Sequence, residues 1–342
     1  MIWLTWRQHR KQALYTAIAL AALAAIMLPT GLAMHHAFTN SGLAACLAKQ
    51  GTAQFIPDTA PDCSTLGGQF QSQYNSMTFI GILFVILPVF VGIFFGAPLV
   101  AREVEQGTHR LVWTQGVSRR RWALVKFGLV GGISILLAAA YALGMTWWFG
   151  PLTANGNGRI VPIFFDVQGI APIGYTLFAV ALGVFAGTLW KKVVPAMGAT
   201  LAGYAVVRVL IETLARPHYL SPVSASLPIN SSERINSDSG AWVYSNGIIN
   251  GSGKLIMPNT VIHCSSSTGN VQVSGTVAPG TDPCDGGGAL VARGLGPAPF
   301  SNLQQYQPAG RFWEFQGIET GIFLALTVIL FYLAIRRIRR IS

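Results

Sequence analysis

The sequence predicts an all-α polytopic membrane protein of about six transmembrane helices, with a small β-rich extracytoplasmic insertion between the fifth and sixth. Three observations lead there. The 342 residues are 51% hydrophobic and only 10% charged, and a mean hydropathy of +0.48 exceeds what one soluble core would bury. The apolar residues fall in runs long enough to cross a bilayer. Most basic residues sit at the ends of those runs, where they orient helices. The net charge of +11 therefore does not point to nucleic acid, since no groove-reading or base-stacking module accompanies it.

Residues 1–12 form an aromatic and basic segment, Trp3-Leu4-Thr5-Trp6-Arg7-Gln8-His9-Arg10-Lys11, with two readings: a helix lying along the inner membrane surface, or an extension of the first span. Residues 13–214 hold the first five spans. The first, Ala13 to Leu32, has an apolar run longer than the about 7–15 residues of a signal-peptide core, so it is expected to stay as a signal anchor. An outer loop, 33–77, leads to Thr78 to Val100, where Pro88 and Pro98 each remove a backbone donor and should bend the helix. The charged segment 101–121 follows, then Trp122 to Trp148, Pro172 to Trp190 and Val193 to Leu214. Residues 215–316 form the extracytoplasmic domain, and 317–342 the last span, Gly317 to Ile335, with a basic cytoplasmic tail. Gly92 and Gly96, and Gly183 and Gly187, have the small-xxx-small spacing that permits close helix approach, within one chain or across a dimer seam.

Orientation follows from the basic residues. One side receives Arg7, Arg10, Lys11, Arg102, Arg110, Arg119, Arg120, Arg121, Lys126, Lys191, Lys192 and the Arg336 to Arg340 cluster, whereas the other keeps only Arg and Lys scattered through long loops. The positive-inside rule then places both termini in the cytoplasm. The cysteines bear on this separately. Cys46 and Cys63 share the first outer loop and Cys264 and Cys284 the long outer segment, as disulfides in an oxidising compartment would. Of three connectivities, pairing within each loop is the simplest. Free thiols or metal ligands are the alternatives, without Cys-x-x-Cys spacing to support a metal.

In the insertion, Trp242 to Ile249 and Val271 to Val277 read as short strands with turn signals, and Gly286 to Gly288 and Gly294 to Pro299 as flexible connections to the last span. Asn230-Ser231-Ser232 and Asn250-Gly251-Ser252 match glycosylation sequons, short patterns that recur by chance.

Catalytic motifs are missing from the sequence. It has no Gly-x-x-x-x-Gly-Lys-[Ser/Thr] phosphate loop, no His-Glu-x-x-His and no Gly-x-Ser-x-Gly. His35 and His36 are adjacent, so in a helix they point in different directions, which disfavours a metal pair. Asp166, Glu314 and Glu319 lie near the outer boundary, read as solvated or paired. Inside the fifth span, Arg208 and Glu212 share one helical face at i,i+4. Such a pair is costly in apolar surroundings unless compensated or wet. It reads as a structural pair or outer gate, as a substrate contact, or as two side chains snorkelling to the interface.

The run Ala101-Arg102-Glu103-Val104-Glu105-Gln106-Gly107-Thr108, with Leu111, Thr114, Val117-Ser118-Arg119 and Lys126, resembles the acidic-Gly-Thr signature between the second and third spans of ABC-2-type transporter permeases. Trp3 to Arg10, Trp113-Thr114-Gln115 and Tyr306 to Trp313 look like an actinobacterial branch of that family. The resemblance is best in the membrane portion. It implies a multi-pass permease of the bacterial cell membrane that dimerises, as homodimer or heterodimer, among membrane lipids. ATP and Mg would be bound by a separate ATP-binding subunit and no cofactor by this chain, with no role for nucleic acid. By position, Glu103, Glu105, Gly107, Thr108 and Arg110 would form a coupling helix contacting that subunit. Gly107 can turn the chain, Thr108 can cap a helix, and the acids can meet a partner's basic residues. The expected function is export of an amphipathic small molecule, antibiotic or lipid. The reading from another class is a membrane receptor or assembly factor whose outer domain binds a ligand and whose cytoplasmic loop recruits a partner.

Overall fold

The computed structural model describes residues 2–107, 119–264, 271–274, 284, 288–292 and 294–338. Among them, six helical stretches are long and apolar enough to cross a membrane: Ala21–Asn40, Ser64–Glu105, Arg121–Trp148, Ala171–Trp190, Val193–His218 and Ala309–Ile338.

Helix α1 (Ile2–Asn40) is unbroken, so the aromatic and basic N-terminal segment extends the first span. The helix continues past Leu32 to Asn40, and polar residues there are accommodated by packing. His35 stacks on the Trp147 ring at 5.3 Å and its Nε2 lies 3.0 Å from the Trp147 carbonyl. Helix α2 (Leu43–Gln50) and strand β1 (Phe55–Pro57) follow, and α3 (Ser64–Val85) starts well before Thr78. The polar run Gln69, Gln71, Gln73, Asn75 dilutes hydropathy there, yet Phe70 is buried, and Asn155 donates to the Gly67 carbonyl at 3.0 Å.

Each proline marks a restart rather than a smooth bend. Pro88 lies in the first turn of α4 (Leu87–Val91) and Pro98 in that of α5 (Ala97–Glu105), where a missing N–H costs nothing. Between them Gly92–Gly96 is a π-helical turn. Helix α6 (Arg119–Trp148) returns across the bundle. Helix α7 (Ala171–Trp190) is its centre: 72% of its apolar window is buried, against 17% to 39% for the other spans. A Cβ on Gly183 would lie 2.6 Å from the Ala97 nitrogen and the Gly92 carbonyl oxygen, and one on Gly92 2.5 Å from the Ala179 carbonyl oxygen. The two small-xxx-small pairs thus face each other within one chain, α7 against the second span. Helix α8 (Val193–Leu210) runs into a π turn, Ile211–Ala215, and α9 (Phe312–Ile338) closes the bundle.

At one end lies the insertion. Strands β2 (Val223–Pro228), β4 (Trp242–Ile249), β5 (Leu255–Pro258) and β8 (Ser301–Gln307) form an antiparallel sheet in the order β2-β8-β4-β5, and β6 (Val261–Cys264) pairs β7 (Val271–Ser274). Strand β3 (Glu233–Ile235) pairs β1, so the insertion is stitched to the first loop. Asn236 extends the seam: its side-chain nitrogen donates to the Gly51 and Ala53 carbonyls at 3.1 and 2.9 Å, and its oxygen accepts from Gln50 at 3.0 Å. Cys46 bonds Cys63 and Cys264 bonds Cys284. Residues 286 and 287 of the expected flexible connection lie outside the described residues. Its Gly294 to Pro299 part is anchored, since Gly251 donates to the Pro297 carbonyl at 2.8 Å. Asn250 of the second sequon is buried and donates to the Leu295 carbonyl at 3.2 Å, which makes it a turn-building residue. The opposite, basic end carries Arg102, Lys126, Lys191, Lys192, Arg336 and Arg337.

Candidate functional site

Four charged side chains meet in the bundle just beneath the insertion. Asp166 precedes α7, Arg208 is on α8, Arg216 follows the π turn and Glu319 is on α9. All are buried, Arg216 and Glu319 at 0% exposure. An Arg208 nitrogen lies 2.6 Å from Asp166 and another 2.9 Å from Glu319. Arg216 reaches Asp166 at 2.5 Å and grips both Glu319 oxygens at 2.7 and 2.8 Å. Tyr175 of α7 donates to Glu319 at 2.7 Å, its ring lying under the Arg208 guanidinium at 4.0 Å, while Arg216 covers the Phe165 ring at 4.6 Å. Two guanidiniums thus face two carboxylates in a closed ring that joins three spans. Charges this deep are tolerated only when paired and hydrogen-bonded.

Local sequence explains the convergence. In a regular α-helix, residues 208 and 216 would be about 80° apart around the axis; the extra residue held by the π turn makes them equivalent to seven apart and brings them within about 20°. Asp166 is placed by Gln316 of α9, whose oxygen accepts from Ile170 and Ala171 N–H at 2.9 and 2.7 Å and whose nitrogen donates to the Phe165 carbonyl at 3.0 Å. A side chain from the last span therefore caps the helix that carries Tyr175. Arg159 lies outside, donating to Gln168 at 3.1 Å and covering the Phe312 ring at 4.2 Å, and its partial burial pulls its guanidinium below the ordinary value.

The Arg208 and Glu212 pair is present at 4.0 Å but peripheral, since Asp166 and Glu319 hold Arg208 at shorter range and Glu212 is 38% exposed. Arg216, Asp166 and Glu319 are the partners sequence reasoning missed. Glu314, by contrast, stands in the first turn of α9 without joining them.

At the basic end, Glu103 forms an ion pair with Lys126 of α6, whose ammonium also lies 4.8 Å from the Trp122 ring centre. Glu105 accepts the Val193 N–H at 3.0 Å, capping the start of α8. The two acids thus bond within their own chain, where sequence reasoning had them meeting a partner. Gly107 has φ +69°, the left-handed conformation a glycine turn supplies. Thr108 and Arg110 lie outside the described residues. No group of three or more His, Cys, Asp or Glu able to hold a metal ion occurs among the described residues.

No curated protein and no solved structure matches the chain. Residues 17–216, more than half of the molecule and ending on one arginine of the buried ring, match the family described as ABC-2 membrane transporter related, and the chain belongs to that family.

Proposed function

We propose that the chain is the membrane-spanning permease subunit of an ATP-driven exporter, with its basic end and both termini in the cytoplasm and ATP and Mg bound by a separate subunit. The cargo class is amphipathic: a small molecule, an antibiotic or a lipid. A second copy of the chain or a related permease completes the pathway. The observation that carries the reading is the bonding at the base of segment 101–121. Through Glu103 the end of α5 is tied to α6, and through Glu105 to the start of α8, so a push on the segment is delivered to three spans at once. The acids then act as links inside the permease, and Gly107 provides the turn from which a partner's force enters.

The test is paired. Glu103→Lys, Glu105→Lys and Gly107→Val are expected to insert normally yet to lose substrate-stimulated ATP hydrolysis in vesicles containing the ATP-binding subunit. Because Glu103 and Glu105 bond internally, co-purification of that subunit should suffer less than the stimulation. Wild-type stimulation in all three overturns the assignment. Ligand binding to the insertion with no transport would favour the receptor reading.

A further inference from the structure

At the basic end a cleft of about 470 Å³ lies between the π turn and α5 on one side and the start of α8 on the other. Phe94, Pro98 and Met197 form its apolar floor, and Arg102, Glu105 and Gln106 stand with Val193 at its mouth. On one wall Phe94, Pro98 and Arg102 recur every four residues, and on the other so do Val193 and Met197, so each helix contributes one stripe. From Phe94 to Glu105 the helix rises ~16 Å, over which the lining changes from wholly apolar to charged. Half of a ~30 Å hydrocarbon layer makes the same change over the same depth.

The surroundings discriminate between occupants. Phe94 is 53% exposed, so the cleft opens toward the bilayer. An extended peptide would leave its backbone groups unpaired at this depth, whereas an acyl chain has no such groups. The charges select the headgroup. Glu105 is committed to the Val193 N–H at 3.0 Å. Lys191 and Lys192, which immediately precede Val193, are exposed, as is Arg102, and none of the three has an ion pair among the described residues. Three cations against one engaged carboxylate suit an anion.

We infer that this cleft binds one anionic phospholipid of the surrounding membrane, an acyl chain lying between α5 and α8 and its phosphate held by Arg102 with Lys191 and Lys192. The site adjoins the base of segment 101–121, so its occupancy sets the spacing of the two helices that Glu105 links. It needs only a membrane-spanning chain, and its test is separate from transport.

The full-length protein is reconstituted in nanodiscs of equal phosphatidylglycerol and phosphatidylcholine, and retained lipid is read by native mass spectrometry. Phosphatidylglycerol should be retained over phosphatidylcholine by about tenfold, as basic side chains around one headgroup supply. Arg102→Gln with Lys192→Gln should bring the two lipids level. Met197→Trp, which fills the floor and keeps every charge, should abolish retention. Independently of any variant, phosphatidylglycerol with a photoactivatable acyl chain should label Phe94, Pro98, Val193 or Met197 in the unmodified protein. Equal retention of the two lipids by the wild type, wild-type retention in Met197→Trp, or labelling confined to other helices would each overturn the site.

Discussion

The two ends of the bundle use the same kinds of side chain to opposite effect. Beneath the insertion, Arg208, Arg216, Asp166 and Glu319 neutralise one another out of reach of solvent. At the basic end, Lys126 and Glu103 pair in partial shelter while Arg102, Lys191 and Lys192 stay exposed. The first arrangement has no charge to spare and holds three spans in one geometry. The second leaves cations for contacts beyond the chain. Where a charge lies relative to its neighbours, more than its presence, separates a fixed end from a responsive one.

Perturbing the ring should give the largest effect. Arg216→Leu leaves two buried carboxylates on Arg208 alone, and unfolding in detergent should show a loss of ~3–5 kcal/mol. Adding Glu319→Leu should restore part of it, because the survivors are then balanced. Simple additivity of the two losses would mean that the ring is not a unit. Next, Cys46→Ser with Cys63→Ser should cost ~2–4 kcal/mol through the first loop, read as earlier unfolding of the insertion end with the basic end unchanged. Lys126→Met, at the other end, should cost about 1–3 kcal/mol by removing the cation bonded to Glu103; a loss equal to that of Arg216→Leu would erase the contrast between the ends.

Asp62 supplies a smaller, pH-dependent test. Its carboxylate accepts the Ser64 N–H at 3.0 Å at the start of α3, and that bond chiefly holds its carboxyl below the usual value. A depressed folded value means the stabilisation is present above about pH 4 and is lost as pH falls through the folded value. Asp62→Ala should cost about 1 kcal/mol at neutral pH and nothing in acid, checked by unfolding across pH. The smallest change is expected for Glu212→Gln, within about 0.5 kcal/mol, because the ring is already balanced without it. A loss as large as that of Arg216→Leu would make Glu212 a full member.

Much of this was legible in the sequence. Apolar runs located six helices long and apolar enough to cross a membrane, glycine spacing marked the close approach that α7 makes to the second of them, and cysteine placement anticipated both bridges. Span ends were less legible, because Gln69 or His35 lowers hydropathy while packing keeps the helix going. The ring was half visible. Arg208 stood out within an apolar run, but its partners are 42 residues before it and 111 after it, and no periodicity encodes contacts of that range. The alignment of Arg208 with Arg216 needs a π turn, which shifts the helical phase without altering composition.

The ring also dictates an order of assembly. Asp166, Arg208 and Arg216 are all synthesised roughly 100 to 150 residues before Glu319, which arrives on α9. A nascent chain that has inserted five helices therefore holds two arginines against one buried carboxylate and cannot settle. Insertion of α9 supplies the missing charge, and with Gln316 it caps the central helix in the same step. Arrival of α9 is thus registered inside the membrane, and a product without that helix would carry an uncompensated buried cation.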